Sequence, residues 1–127
     1  MRTDPVQQQE SSTLLSKSLR FYVNFLIMIY LIATVAELYR LIYFLSHPAS
    51  NSDIGFTIYH IVLGAIVCSS LFAVQLRRRW GVFVYLGIEL FNLILHVFTH
   101  FPWFVYFMLI FPIVLWVLAR KQWHLFK

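Results

Sequence analysis

The chain has 127 residues, of which 61% are hydrophobic and 12% charged, and its mean hydropathy is +0.76. Soluble domains are typically about 45–50% apolar and about 25% charged, and a domain this small leaves much of its area exposed, so composition excludes an ordinary water-soluble globule. The net charge of +5 would raise nucleic acid as a partner in a soluble protein. Here Lys and Arg stand at the ends of apolar runs, where membrane topology places them, so the expected partner is a lipid bilayer and no nucleic acid.

Residues 1–20 are polar, with Asp4-Pro5 and the run Gln7-Gln8-Gln9-Glu10. They are expected to form a cytoplasmic tail. Leu14, Leu15, Leu19 and Tyr22 recur at helical spacing beside Lys17 and Arg20, which predicts a short interfacial helix leading into the first span. That span covers 21–45. Thr34 and Ala36 occupy the −3 and −1 positions of a weak cleavage site, but apolar character runs on to Leu45, which favours an uncleaved anchor. His47 to Asp53 reads as a turn-rich loop without Lys or Arg.

The second span covers 54–76 and stops at Arg77-Arg78-Arg79. As one helix, Trp80 to Ala119 would extend about 60 Å, about twice the hydrocarbon thickness, so it has to fold back. Pro102 disfavours helix at the residue before it and suits the first turn of a new helix. The break therefore falls at Thr99-His100-Phe101-Pro102, giving a third span over 80–101 and a fourth over 103–119. Pro112 is predicted to kink the fourth span and leave the Met108 carbonyl without its usual donor. Residues 120–127 form a basic cytoplasmic tail.

The predicted fold is all-α, a four-helix up-down transmembrane bundle forming a single domain. Lys17, Arg20, Arg77, Arg78, Arg79, Arg120, Lys121 and Lys127 then share one side, so both termini are cytoplasmic. A bacterial inner (plasma) membrane fits this charge asymmetry. Trp80, Trp116 and Trp123 fall near the inner boundary and Trp103 near the outer one, as interfacial aromatics do.

Ionisable side chains in hydrocarbon are costly, so each one invites a structural and a functional reading. On the third span Glu89, Asn92, His96 and His100 are spaced three, four and four apart, along one face. On the second, His60, Gly64, Cys68 and Gln75 form a similar stripe, in which Gly64 and Cys68 are small enough for close helix packing. On the first, Glu37 and Arg40 are three apart. The structural readings are a local Glu37–Arg40 ion pair, a protonated Glu89 hydrogen-bonded to Asn92 or another span, and neutral histidines bonding between helices. The functional readings are an outer anion contact for Glu37 and Arg40 and a proton or cation relay for Glu89. The alternative for the histidines is haem b held by His60 and His96, which lie at similar depth, with His60, His96 and His100 as weak metal candidates.

Cys68, the single cysteine, excludes an intramolecular disulfide and with it the four-helix quinone-linked enzymes that form disulfides through cysteine pairs. There is no phosphate-gripping glycine loop, zinc-protease motif or nucleophile elbow. Ala36-Glu37 in a first span of four is similar to the small multidrug exporters. The other spans add no match, and the loop charge bias departs from that family's near-balanced loops, so no family is assigned. The favoured function is a non-enzymatic accessory, assembly or regulatory subunit without cofactor, acting through helix contacts with other membrane proteins or copies of itself. The alternative is proton-coupled solute handling or haem or metal redox binding by the Glu/His/Arg cluster.

Overall fold

The computed structural model describes residues 15–48, 50–99 and 102–127, with side chains at all of these except 96, 99 and 102–108. Among the described residues four α-helices follow one another, α1 Lys17–Ser46, α2 Asn51–Gln75, α3 Arg79–Thr99 and α4 Pro102–Lys121, and then a 3₁₀ turn, Trp123–Leu125. There is no strand among the described residues. Each helix packs on the next in sequence, and α4 returns to touch α1. Two of them, α1 and α2, are long and apolar enough to cross a membrane.

The helix ends have local causes. Ser16 caps α1, its hydroxyl accepting the Leu19 N–H at 3.3 Å. Nothing between Ser16 and Phe21 interrupts the helix, so the part of the expected lead-in helix that is described is the start of α1 itself. Pro48 holds His47 extended and closes α1. The segment Asn51–Asp53 is the first turn of α2, not loop. Ser50 makes it so, accepting the Asp53 N–H at 3.2 Å and donating its hydroxyl to the Asp53 carboxylate at 2.5 Å. An acid in the first turn also suits the positive end of the helix dipole.

Helix α2 ends in a tight cap. Arg77 lies in the left-handed region at φ 59°, its N–H on the Val74 carbonyl at 3.0 Å and that of Arg78 on Ala73 at 2.9 Å. This pairing satisfies carbonyls that a helix end otherwise leaves open, and the left-handed position is one glycine usually fills. The break before α4 leaves Pro102 as its first residue, where the missing N–H costs nothing. The helix continues through Pro112.

Buried positions follow helical stripes. Leu19, Val23 and Leu26 on α1 join Val67, Leu71 and Val74 on α2, Val82 and Tyr85 on α3, and Leu115 and Ala119 on α4 in one buried cluster. This core lies toward the end where the start of α1 and the C-terminal segment meet the α2–α3 turn. There the Arg79 N–H donates to the Lys127 carbonyl at 2.9 Å and the Lys127 N–H to the Arg77 carbonyl at 2.7 Å. The Arg79 guanidinium donates to the Phe126 carbonyl at 3.1 Å and covers the Trp123 ring, 5.6 Å from its centre. Across this end, the Ser16 N–H donates to the Gln122 side chain at 2.7 Å. We call it the basic end, since Lys17, Arg20, Arg77–Arg79, Arg120, Lys121 and Lys127 are all near it.

Two glycines set how closely the helices approach. A Cβ on Gly64 would collide with the Thr34 side chain of α1. At Gly81 it would run into the backbone of α2, 2.9 Å from the Val74 nitrogen and 2.8 Å from the Ala73 Cβ. Gly55 and Gly87 meet nothing within 4 Å. Overpacking typically costs about 1–3 kcal/mol, so Gly81→Val is expected to lower the thermal unfolding midpoint of the detergent-solubilised protein. Gly87→Ala, in an open helical position, is expected to leave it unchanged or raise it slightly.

Candidate functional site

Polar side chains within the apolar middle of the bundle fall into three separate groups. The first joins α1 to α3. Glu89 is ten residues beyond Arg79, about 15 Å along α3 at about 1.5 Å per residue, and is only 5% exposed. The Tyr30 hydroxyl donates to its carboxylate. The Tyr85 ring stands edge-on to Tyr30, with centres 6.3 Å apart. The buried Tyr85 hydroxyl finds no partner of good geometry among the described residues. One turn nearer the basic end than Tyr85, Val82 continues the same stripe.

The second group joins α2 to α3, the Tyr59 hydroxyl donating to the Asn92 side-chain oxygen at 3.3 Å. Asn92 is buried one turn beyond Glu89. The third is the pair Glu37–Arg40, with 3.8 Å between charged atoms. It lies two turns beyond Tyr30 on α1, with the Arg40 guanidinium also 5.4 Å from the centre of the Phe44 ring. One Glu37 oxygen is buried without a partner among the described residues.

The structure therefore brings together Glu37 with Arg40, and places Glu89 and Asn92 on one buried face, where Tyr30 and Tyr59 are among their direct partners. Tyr30 and Tyr59 are absent from the sequence-based candidates. The available signal was depth: a tyrosine carried into the middle of an apolar helix has a hydroxyl that needs a partner, and Tyr30 is at a height comparable to Glu89. His60 turns along its own helix. Its Nδ1 lies 2.9 Å from the Phe56 carbonyl, and its ring packs edge-on to Phe56 with centres 4.2 Å apart. The His96 side chain and all of His100 lie outside the described residues, and the alternative haem pair of His60 and His96 and the H-x-x-x-H motif fall there with them. Among the described residues no three His, Cys, Asp or Glu side chains form a metal-holding group. Gly64 is a point of close approach, as its size predicts, and Cys68 is half-buried.

Beside Glu89, between α3 and α4, is a cavity of about 410 Å³. Phe83, Leu86, Leu90, Pro112 and Trp116 supply most of its wall. On the other side of α4, the Tyr22 hydroxyl donates to the Phe111 carbonyl at 3.0 Å, tying the proline-bearing segment to α1.

No protein-family model matches the chain, and no curated protein or solved structure matches it significantly.

Interhelical hydrogen bonds among apolar helices are worth about 0.6 kcal/mol on average and reach about 1.7. Tyr30→Phe strips a buried acid of a donor and should lie at the upper end of that range, about 1–2 kcal/mol of stability. In a double-mutant cycle with Glu89→Gln, read by reversible unfolding in mixed micelles, coupling is expected for Tyr30 and not for Tyr39, which is exposed.

Proposed function

We propose that this chain is a four-span membrane protein, with its helices packed up-and-down and both termini cytoplasmic in a bacterial plasma membrane. It acts as a non-enzymatic accessory, assembly or regulatory subunit, and α1 is the helix it offers to its partner. The exterior supports the membrane setting: large apolar side chains such as Met28, Phe56, Phe83, Phe98 and Ile113 stand exposed on all four helices. The eight cations near one end favour that end as the cytoplasmic one.

The observation that carries the partner reading is the lopsided burial of α1. Its buried residues, Leu19, Val23 and Leu26, all lie in its first ten positions. Beyond them, Ile29, Ala33, Ala36, Arg40 and Tyr43 follow helical spacing along an exposed stripe. Ala33 and Ala36 allow a second helix to approach closely. Arg40, with its side chain 53% exposed, is costly against lipid tails and less so against a polar group on another helix.

A photoreactive residue at Ala36 or Ile32 should capture a discrete protein in native membranes, while one at Val67, in the core, should not. Lipid adducts alone at Ala36 would reject the partner. Reporter fusions at Ser50 and Arg78 should report opposite sides.

The cavity beside Glu89 favours a second reading, proton-coupled handling of a small apolar solute. It requires Glu89→Gln to abolish a pH-dependent flux in liposomes; unchanged flux rejects it.

A further inference from the structure

The cavity between α3 and α4 has two different boundaries. Its wall residues Phe83, Leu90 and Ile113 are more than half exposed, so its long side opens on the apolar exterior. Its basic end is built differently. The last described wall residues in that direction are Phe83 on α3 and Trp116 on α4. The Trp123 ring of the 3₁₀ turn stands across both, its centre 5.6 Å from that of Phe83 at 80° and 5.8 Å from that of Trp116 at 61°. Both are edge-to-face contacts, an arrangement in which aromatic rings attract. One ring therefore bridges the two helices at the point where the cavity stops. Glu89 borders the same cavity, six residues from Phe83 or about 9 Å along α3.

What holds Trp123 in place lies outside the cavity. Phe126 packs on it with ring centres 5.6 Å apart. The Arg79 guanidinium covers its ring and donates to the Phe126 carbonyl at 3.1 Å. Backbone bonds of 2.7 and 2.9 Å tie Lys127 to Arg77 and Arg79, and Gln122 is bonded to Ser16 at the start of α1. These fastenings are local, and the element they hold is a single 3₁₀ turn, whose own hydrogen bonds are poorer than those of an α-helix. A segment fastened in this way opens at lower cost than a packed core.

We propose that Trp123 is a gate on this cavity. While the 3₁₀ turn is docked, the ring closes the cavity and Glu89 off from the basic end, and undocking opens that route. The bilayer covers the lateral opening, so water and solutes on the basic side enter past Trp123. The inference adds regulation to the solute-handling reading given above and takes its functional meaning from it. Trp123 need not touch the solute. It acts by joining Phe83 to Trp116, and Arg79 acts by holding Trp123 and Phe126.

The test uses the full-length protein in phosphatidylcholine nanodiscs, with Cys68→Ser removing the native thiol and Leu86→Cys placing a reporter on the cavity wall. Its reaction with a sulfonated, membrane-impermeant maleimide is timed by intact-mass spectrometry. With Trp123 present the reaction should be slow. Trp123→Ala removes both edge-to-face contacts and should speed it about ten-fold. Arg79→Gln, which keeps the ring and loosens its hold, should speed it about three-fold. Trp123→Phe keeps an aromatic ring and should stay close to the parent rate. The control reporter is Val67→Cys in the core, whose rate should not respond to any of these changes. A Leu86→Cys rate that is the same with and without Trp123 overturns the proposal. So does a Val67→Cys rate that rises in step, since Trp123 would then be supporting the bundle as a whole. Labelling needs no solute and no pH gradient. Its failure therefore leaves the solute reading to the Glu89→Gln flux measurement, and absent flux with Trp123-dependent labelling rejects the solute while keeping the gate.

Discussion

Polar groups carried on apolar helices have to be matched by other groups of the same protein, and this requirement organises the bundle. Glu89 and Asn92 are the demanding cases, since each brings side-chain oxygens into the middle of a chain that is 61% hydrophobic. Glu89 takes the hydroxyl of Tyr30 and Asn92 that of Tyr59. One stripe of α3 is thereby bonded to α1 at one level and to α2 at the next. Smaller polar residues satisfy themselves locally: the hydroxyls of Thr34, Thr57 and Ser70 donate to the carbonyls of Tyr30, Asp53 and Val67 at 2.7–2.9 Å. A hydroxyl bonded to its own helix adds no polar demand at the interface. That lets Thr34 seat against Gly64 and Ser70 lie buried beneath Gly81.

Directional bonds of this kind choose a rotation for each helix, while the glycines choose a distance. Rotating α1 by one residue, about 100°, would carry Tyr30 off the face that reaches Glu89 and Thr34 off Gly64 together. The basic end adds a third constraint, in which backbone groups of Arg77, Arg79 and Lys127 pair with one another. That pairing holds the α2–α3 turn and the 3₁₀ turn against each other without any sheet among the described residues. Trp123 and Phe126 pack there with ring centres 5.6 Å apart.

The positions of the four helices follow from the sequence because the signals were strong and local: long apolar runs, a triple arginine and one well-placed proline. The helix ends lie within four residues of the expected boundaries. The stripe of Glu89 and Asn92 was also legible, since three-and-four spacing needs no tertiary knowledge. What it faces was not. A tyrosine in an apolar run reads equally well as bulk or as an interfacial aromatic, and only the packing distinguishes them. Gly64 declared itself by sitting among other small residues, whereas Gly81 stood beside the arginines and read as the margin of a span. The last eight residues were expected to be a basic cytoplasmic tail, with Trp123 as an interfacial aromatic. Phe126, three residues on from Trp123 in a short helical turn, was the additional sign that the segment would dock.

The thirty residues of α1 rise about 45 Å at about 1.5 Å per residue, against about 31 Å for the twenty-one of α3. In the membrane setting proposed above, with a core of about 30 Å, these two helices would not both stand upright with their ends level. The mismatch would then fall on α1, which would lean steeply or project its ends into the headgroup layers.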